Sequence, residues 1–413
     1  MRDVVLSESS YRQGQRDARD WDGAAVSYAQ ALKHKPKQAN LWVQLGNVQR
    51  ERRAMEEALA AYRRADQIQP DEADTLHQLA RTMRAMGDKA GAAQVYGRVL
   101  KIAPTLSAAQ REAVVLEAEL RPPPTEPRLP SHLAAIVLGT VGGHCNASCP
   151  HCPTGKAETA WVPRTEMPWA LFTRLIDEIV DLGIVVSGRV SFGLFGDGLL
   201  DSMVVERAAY IRRRMPDVNL IVNTNAAAFN RVKHGPLRDY ISTMAVHCES
   251  LVPATYNHLM SPLRLERVLP KIEEILDAFP GKVWVSTPVS RLNKDEMPAL
   301  RAWFLERGVR KVNVVPISSR CAEDRTVFNA MAFDPQPVRC RASILDDLIV
   351  DCDGQILMCC NDFQRLESVG NLKAQSLEDT LTGMRRFKVA QLLENGGHAS
   401  LTTCSRCFAD SPT

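Results

Sequence analysis

Through the middle of the chain, apolar runs of strand length alternate with stretches whose apolar residues recur at helical spacing. The strand-like runs are 134–140, 190–195, 218–223, 243–247, 283–289 and 311–316. Between them lie amphipathic segments such as MPWALFTRLIDEIVDLG and LERVLPKIEEILDAF. Alternation of this kind predicts parallel βα units. Six of them suit an open, partial (β/α)6 barrel, which binds its ligands at the carboxyl ends of the strands.

The first third follows a different rule. Pro36, Pro70 and Pro104 stand 34 residues apart, as do Ala24, Ala58 and Ala92, and Tyr28, Tyr62 and Tyr96. Trp42, Leu45 and Gly46 open the middle unit; Leu76, Leu79 and Ala80 take their places in the next, and the first unit lacks them. The small residues let paired helices approach closely, and the prolines fall where a helix must stop. This resembles the tetratricopeptide repeat (TPR), a helix–turn–helix unit that stacks into an all-α solenoid. Three repeats over residues 1–120 are expected, with 105–120 as a capping helix. The array offers a concave surface for a peptide or protein; the plainer alternative is that it oligomerises or buttresses the next domain. A proline-rich linker, 121–130 (RPPPTEPRLP), follows.

Composition narrows the classes. With 45% apolar residues and a formal charge of +3 in 413 residues, the chain is globular. Charge gives no reason to expect a nucleic acid or membrane partner. The N-terminus lacks the apolar region of a signal peptide, and the longest near-apolar run, 133–143, is too short to span a bilayer. A soluble, cytoplasmic protein is expected. Yet there are eleven cysteines, none before position 145. In a reducing compartment that points to metal or redox chemistry rather than disulfides.

The cysteines begin where the first strand should end, in GTVGGHCNASCPHCPTGK. Cys145, Cys149 and Cys152 have C-x3-C-x2-C spacing, which suits three corners of a [4Fe–4S] cube and leaves one iron open. A zinc knuckle with His144 or His151 as fourth ligand uses the same donors. The triad after strand one resembles the radical S-adenosylmethionine (SAM) superfamily. Three later strand ends fit that resemblance. SFGLFGDGLLD is similar to the family's glycine–glutamate–proline loop, with Gly196 kept, Asp197 for Glu and Gly198 for Pro. Thr224 and Asn225 match its T-N-G turn, and Ser286 is a candidate for the SAM carboxylate or ribose. His247 ends strand four and faces the same mouth.

The last stretch holds a second set. Asp353-Gly354 signals a hairpin, Gly354 to Cys359 is a G-x4-C step, and Cys404 and Cys407 form C-x2-C. With Cys340 these supply four thiolates for a fully ligated auxiliary [4Fe–4S] cluster, or for a four-cysteine zinc site. The arrangement is similar to the SPASM domain and its shorter twitch form, an α+β iron–sulfur module that follows radical SAM barrels; the 369–371 VGN step and a helix from Ser376 also match it. One auxiliary cluster is expected rather than two. Cys248, Cys321, Cys352 and Cys360 remain. Cys360 could replace Cys359, and Cys352 could be a surplus ligand.

The resemblance implies a barrel over 131–320 and an auxiliary-cluster domain over 321–413. It also implies reductive cleavage of SAM to a 5′-deoxyadenosyl radical that abstracts a substrate hydrogen. Catalytic residues are open, with Cys248, Cys321 and His247 as candidates; a spare thiol would quench a substrate radical in an epimerisation. An auxiliary cluster favours net oxidation, so an oxidoreductase-type enzyme fed by a flavodoxin- or ferredoxin-type donor is expected. Two substrate readings stand: a peptide or protein held by the repeats, in natural-product biosynthesis, or a small sugar, aminocyclitol or nucleotide-linked metabolite. A scaffold with purely structural metal sites is the non-enzymatic alternative.

Overall fold

The computed structural model describes residues 20–120 and 124–410. The opening of the first repeat and linker positions 121–123 lie outside the described residues. The chain divides at residue 123 into two compact units, each with its own core.

The first unit is a row of helices: Trp21–His34, Ala39–Glu51, Met55–Ile68, Ala73–Ala85, Lys89–Ile102 and Ser107–Leu120. The repeat positions explain the packing. Ala24, Ala58 and Ala92 are wholly buried, and the Tyr28, Tyr62 and Tyr96 rings fill the same layer. Gly46 is required by its neighbour, since a Cβ there would stand 2.6 Å from the Tyr62 ring. The last helix buries Ala109 and Leu116 and presents Glu112 to His77 Nε2 at 2.9 Å and to the Tyr96 hydroxyl at 2.6 Å. It therefore closes the apolar end of the array as a capping helix should.

The second unit is built on one nine-stranded sheet. Its strands are β1 (His132–Gly139), β2 (Val185–Phe192), β3 (Asn219–Thr224), β4 (Thr243–His247), β5 (Val283–Val289) and β6 (Lys311–Pro316). All six are parallel and neighbour one another in chain order, as right-handed βα units require. The last three strands coincide with the sequence expectation. β2 begins at Val185 rather than 190, because its exposed Gly188 and Arg189 hide the strand from an apolar count. Helices Trp169–Asp181, Val204–Arg214, Leu265–Ala278 and Met297–Glu306 bury apolar faces into the same core.

Most strands of the C-terminal segment join the barrel's sheet. After a short β7 (Pro335–Pro337), β8 (Asp347–Asp351) pairs in parallel with β1, and β9 (Gln355–Leu357) and β10 (Ser368–Asn371) extend the sheet outward. The β8–β9 hairpin turns at Asp353-Gly354, with Gly354 at φ +83°. Ser376 caps a short helix, Leu377–Leu381, in a capping box with Asp379. β11 (Phe408–Asp410) returns to pair with β7 in a separate two-stranded sheet. No helix among the described residues is long and apolar enough to cross a membrane.

Candidate functional site

A cleft opens at the carboxyl ends of β1–β5. It is lined by Cys145, Cys149, His151 and Cys152 from the loop after β1 and by 193–197 after β2. Asn223–Asn225, His247, Glu249, Met260, Pro288 and Arg320 form further walls. It encloses about 630 Å³ with its open mouth included.

Backbone-to-backbone approach shapes the floor. Gly193 takes φ +81°, and a Cβ on Gly196 would run into the His144 carbonyl oxygen. The glycine loop is thus pressed against the cysteine loop, and the Asp197 amide donates to that carbonyl at 3.2 Å. Asp197 is buried, and its carboxylate accepts from the Leu199 amide at 2.9 Å, the Asn225 amide at 2.7 Å and the Thr224 hydroxyl at 2.9 Å. It ties the end of β2 to the end of β3. Burial raises its pKa, and those same donors oppose the rise. Asn225 carries the network on, donating from Nδ2 to Asn146 Oδ1 at 2.7 Å and approaching Cys145 Sγ at 3.8 Å.

The far wall is polar. Burial pushes the Glu249 carboxyl up to about 8, against the pull of Arg320. Burial and Arg320 hold His247 down at about 4, and His151, 3.6 Å from Glu249, well below its ordinary value. Near neutral pH this wall holds neutral imidazoles, one guanidinium and one carboxyl poised to titrate. Burial also pushes the Cys145 thiol up to about 12, and Cys149 Sγ lies 3.9 Å from the Met260 sulfur.

A second cavity lies in the C-terminal segment. Cys340, Cys359, Cys404, Cys407 and Cys321 line it, with apolar Val338, Ile344, Met358 and Leu393 around them. His398 Nε2 meets the Cys340 carbonyl at 2.7 Å, which steadies the strand-end loop bearing that thiol.

Residues 340–408 match the model of the SPASM iron–sulfur cluster-binding domain, and residues 39–72 match that of a tetratricopeptide repeat. The chain has a radical SAM–SPASM fold, preceded by TPR helices. The chain is similar in fold to Streptococcus suis SuiB bound to precursor peptide SuiA. The TM-score there is 0.51 at 12% identity, over 77% of this chain and 83% of that one. BtrN in complex with AdoMet and 2-DOIA gives 0.47 at 18% identity, over 67% and 92%. AdoMet-bound anSMEcpe gives 0.46 at 11% identity, over 66% and 89%. No curated protein matches by sequence.

Within the radical SAM–SPASM fold, the structure gathers most of the residues singled out from the sequence. Cys145, Cys149, Cys152, Gly196, Asp197, Thr224, Asn225 and His247 share the cleft, while Cys340, Cys359, Cys404 and Cys407 share the SPASM cavity. Gly198 and Ser286 stand apart from the cleft lining. Gly198 packs beneath it, where a Cβ would stand 2.8 Å from the Asn223 carbonyl. Ser286 stops short because β5 runs on, and Pro288 reaches the wall instead. Cys248 is wholly buried, its thiol 3.3 Å from the Ser250 carbonyl, and does not face the cleft. Cys321 faces the other cavity. Cys352 packs against Thr165 and Pro163 under the cysteine loop, and Cys360 does not line the SPASM cavity. Sequence reasoning missed Glu249, Met260 and Arg320. The only local signal was position, since Glu249 and Arg320 each follow a strand end by a few residues.

Proposed function

We propose that the protein is a radical SAM oxidoreductase that abstracts a hydrogen atom from a peptide or protein substrate held by its TPR unit, in natural-product biosynthesis. The observation that carries this reading is the convergence of the C-x3-C-x2-C loop with the ends of β2 and β3 around one cleft. The donor set fits a [4Fe–4S] cluster, for three thiols on one loop leave one iron for a bidentate ligand. Glycines let the loop after β2 press directly against the cysteine loop and the end of β3, which fixes the floor on which that ligand would sit. When bound, the cluster and SAM supply one-electron cleavage of the sulfonium and a species able to take a hydrogen atom from an unactivated carbon.

The chain's own residues then have distinct tasks. Cys145, Cys149 and Cys152 would hold the cluster. The 193–197 loop and the Thr224–Asn225 turn, locked by Asp197, would present their backbone to SAM. Arg320 offers a fixed cation to the substrate, and Glu249 takes or gives a proton near neutral pH. Cys340, Cys359, Cys404 and Cys407 would hold an auxiliary [4Fe–4S] cluster, which suits passage of an electron and net oxidation or cross-linking.

The test uses anaerobically reconstituted protein given reductant, SAM and the short peptides encoded by neighbouring genes. Release of 5′-deoxyadenosine and loss of two hydrogens from a peptide are expected, both abolished by Cys145→Ala. Deleting residues 1–120 should spare uncoupled SAM cleavage and collapse peptide turnover. The polar wall of Arg320, Glu249 and His247 favours a second reading, a dehydrogenase or epimerase of a small sugar, aminocyclitol or nucleotide-linked metabolite. Turnover that survives the deletion selects it.

A further inference from the structure

A four-ligand auxiliary site is complete without Cys321, yet this thiol lines the same cavity and is wholly buried. It lies upstream of the SPASM match, which begins at residue 340. Its backbone is unusual. Arg320 and Cys321 are consecutive non-glycine residues in the left-handed region, at φ +48° and +55°. Such conformations are costly for side-chain-bearing residues and persist only where the surroundings impose them.

Here the imposing contacts are visible. The Ser319 amide donates to the Phe408 carbonyl at 2.8 Å, and the Phe408 amide returns a bond to Ser319 Oγ at 2.9 Å. Ser319 Oγ also donates to the Arg406 carbonyl at 2.9 Å, and the Asp410 amide donates to the Ile317 carbonyl at 3.0 Å. The segment after β6 is therefore stitched to the chain around Cys407. The left-handed pair sends its two side chains to different sites. Arg320 enters the cleft beside Cys149, Cys152 and Glu249, and Cys321 lines the SPASM cavity beside Cys407. The cavity around Cys321 sets the four proposed ligand thiols among apolar Val338, Ile344, Met358 and Leu393, so a ligand sulfur is the natural acceptor for its S–H.

We propose that Cys321 is a fifth, non-ligating thiol of the auxiliary site, which donates its S–H to a ligand sulfur and raises the reduction potential of the cluster held there. The inference rests on the auxiliary cluster proposed above. Its physical basis is that reduction adds negative charge to the cluster, and a donor on a ligand sulfur stabilises that charge; hydrogen bonds to the sulfurs are among the terms that set such potentials. Cys321 is in this sense a positioning residue, held by the Ser319–Phe408 stitching.

The experiment compares full-length wild type, Cys321→Ala and Cys321→Ser after anaerobic reconstitution. Iron and sulfide are counted, and the auxiliary signal is followed by paramagnetic resonance through a redox titration. All three proteins should hold about eight irons per chain, two [4Fe–4S] clusters. The auxiliary midpoint should move to more negative potential in the alanine variant. The serine variant, whose hydroxyl still donates, should fall between, and it keeps the test open should the alanine protein fold poorly. Loss of about four irons in the alanine variant would make Cys321 a ligand and overturn the proposal. An unchanged potential, or a serine variant further from wild type than alanine, also overturns it. A wild-type count of about four irons would instead sink the auxiliary-cluster reading, and this inference with it.

Discussion

Replacing Asp197 with Asn asks whether one buried carboxylate holds two strand-end loops of the cleft together. Oδ1 accepts from the Leu199 amide at 2.9 Å, and Oδ2 accepts from the Asn225 amide at 2.7 Å, with the Thr224 hydroxyl 2.9 and 3.1 Å from the two oxygens. Each oxygen therefore faces a backbone N–H. An asparagine has one carbonyl oxygen, so its NH₂ must point at one of those donors whichever way the amide is turned. One charge-assisted bond worth roughly 1.5–3 kcal/mol is lost, and one buried N–H is left unpaired at about 1–3 kcal/mol. Removing a buried charge returns part of its desolvation cost, so a net loss of about 3 kcal/mol is expected. Urea unfolding of the full-length, cofactor-free protein measures it. Pulsed hydrogen exchange should be read on peptides from residues 124–410, which keeps the transition of the repeat unit separate. Protection should fall first in peptides covering 193–201 and 219–227. A variant within about 1 kcal/mol of wild type, or one that loosens evenly across the barrel, would show that Asp197 is not the tie.

Three further outcomes follow from the packing. Gly46→Ala places a Cβ 2.6 Å from the Tyr62 ring and should destabilise the repeat unit by about 1–3 kcal/mol in thermal unfolding, an unchanged midpoint counting against the close-approach argument. His234 is buried, and its Nδ1 accepts the Asn230 amide at 3.0 Å. Burial lowers its pKa to about 4. Its neutral form therefore stabilises the fold fully above pH 6.5, and that contribution, about 3 kcal/mol, is lost as pH falls from 6.5 through 4. His234→Gln should flatten the stability–pH curve across that window, and parallel curves would refute the assignment. Arg207 is wholly buried, with Nε 2.9 Å from Asp201 and the guanidinium 5.0 Å over the Phe172 ring. Arg207→Met strands the Asp201 charge and should cost about 3–5 kcal/mol in chemical denaturation; adding Asp201→Asn should restore part of it, and no restoration would show that the charge is not the cause.

What the sequence determined by itself is local. Period 34 set the helices of the first unit, because Ala58 beneath a helix crossing and Gly46 beneath Tyr62 are constraints between neighbours in the chain. Apolar runs set β4, β5 and β6, whose bounds coincide with the expectation, and Asp353-Gly354 set its hairpin through turn chemistry alone. The cysteine spacing of the loop after β1 was legible for the same reason. Tertiary structure decided which distant segments meet. That β8 lies against β1, making the barrel and the SPASM segment one sheet, depends on pairing between residues some two hundred positions apart, which no local period encodes. Glu249 and Arg320 read as ordinary charged residues after strand ends until the fold sets them in the cleft with the cysteine loop. Cys321 reads as a spare thiol until two left-handed residues set it in the SPASM cavity and its neighbour Arg320 in the cleft. Strand and helix follow from the periodicity of a few adjacent side chains. A site follows from the direction each side chain takes once remote backbone has fixed it.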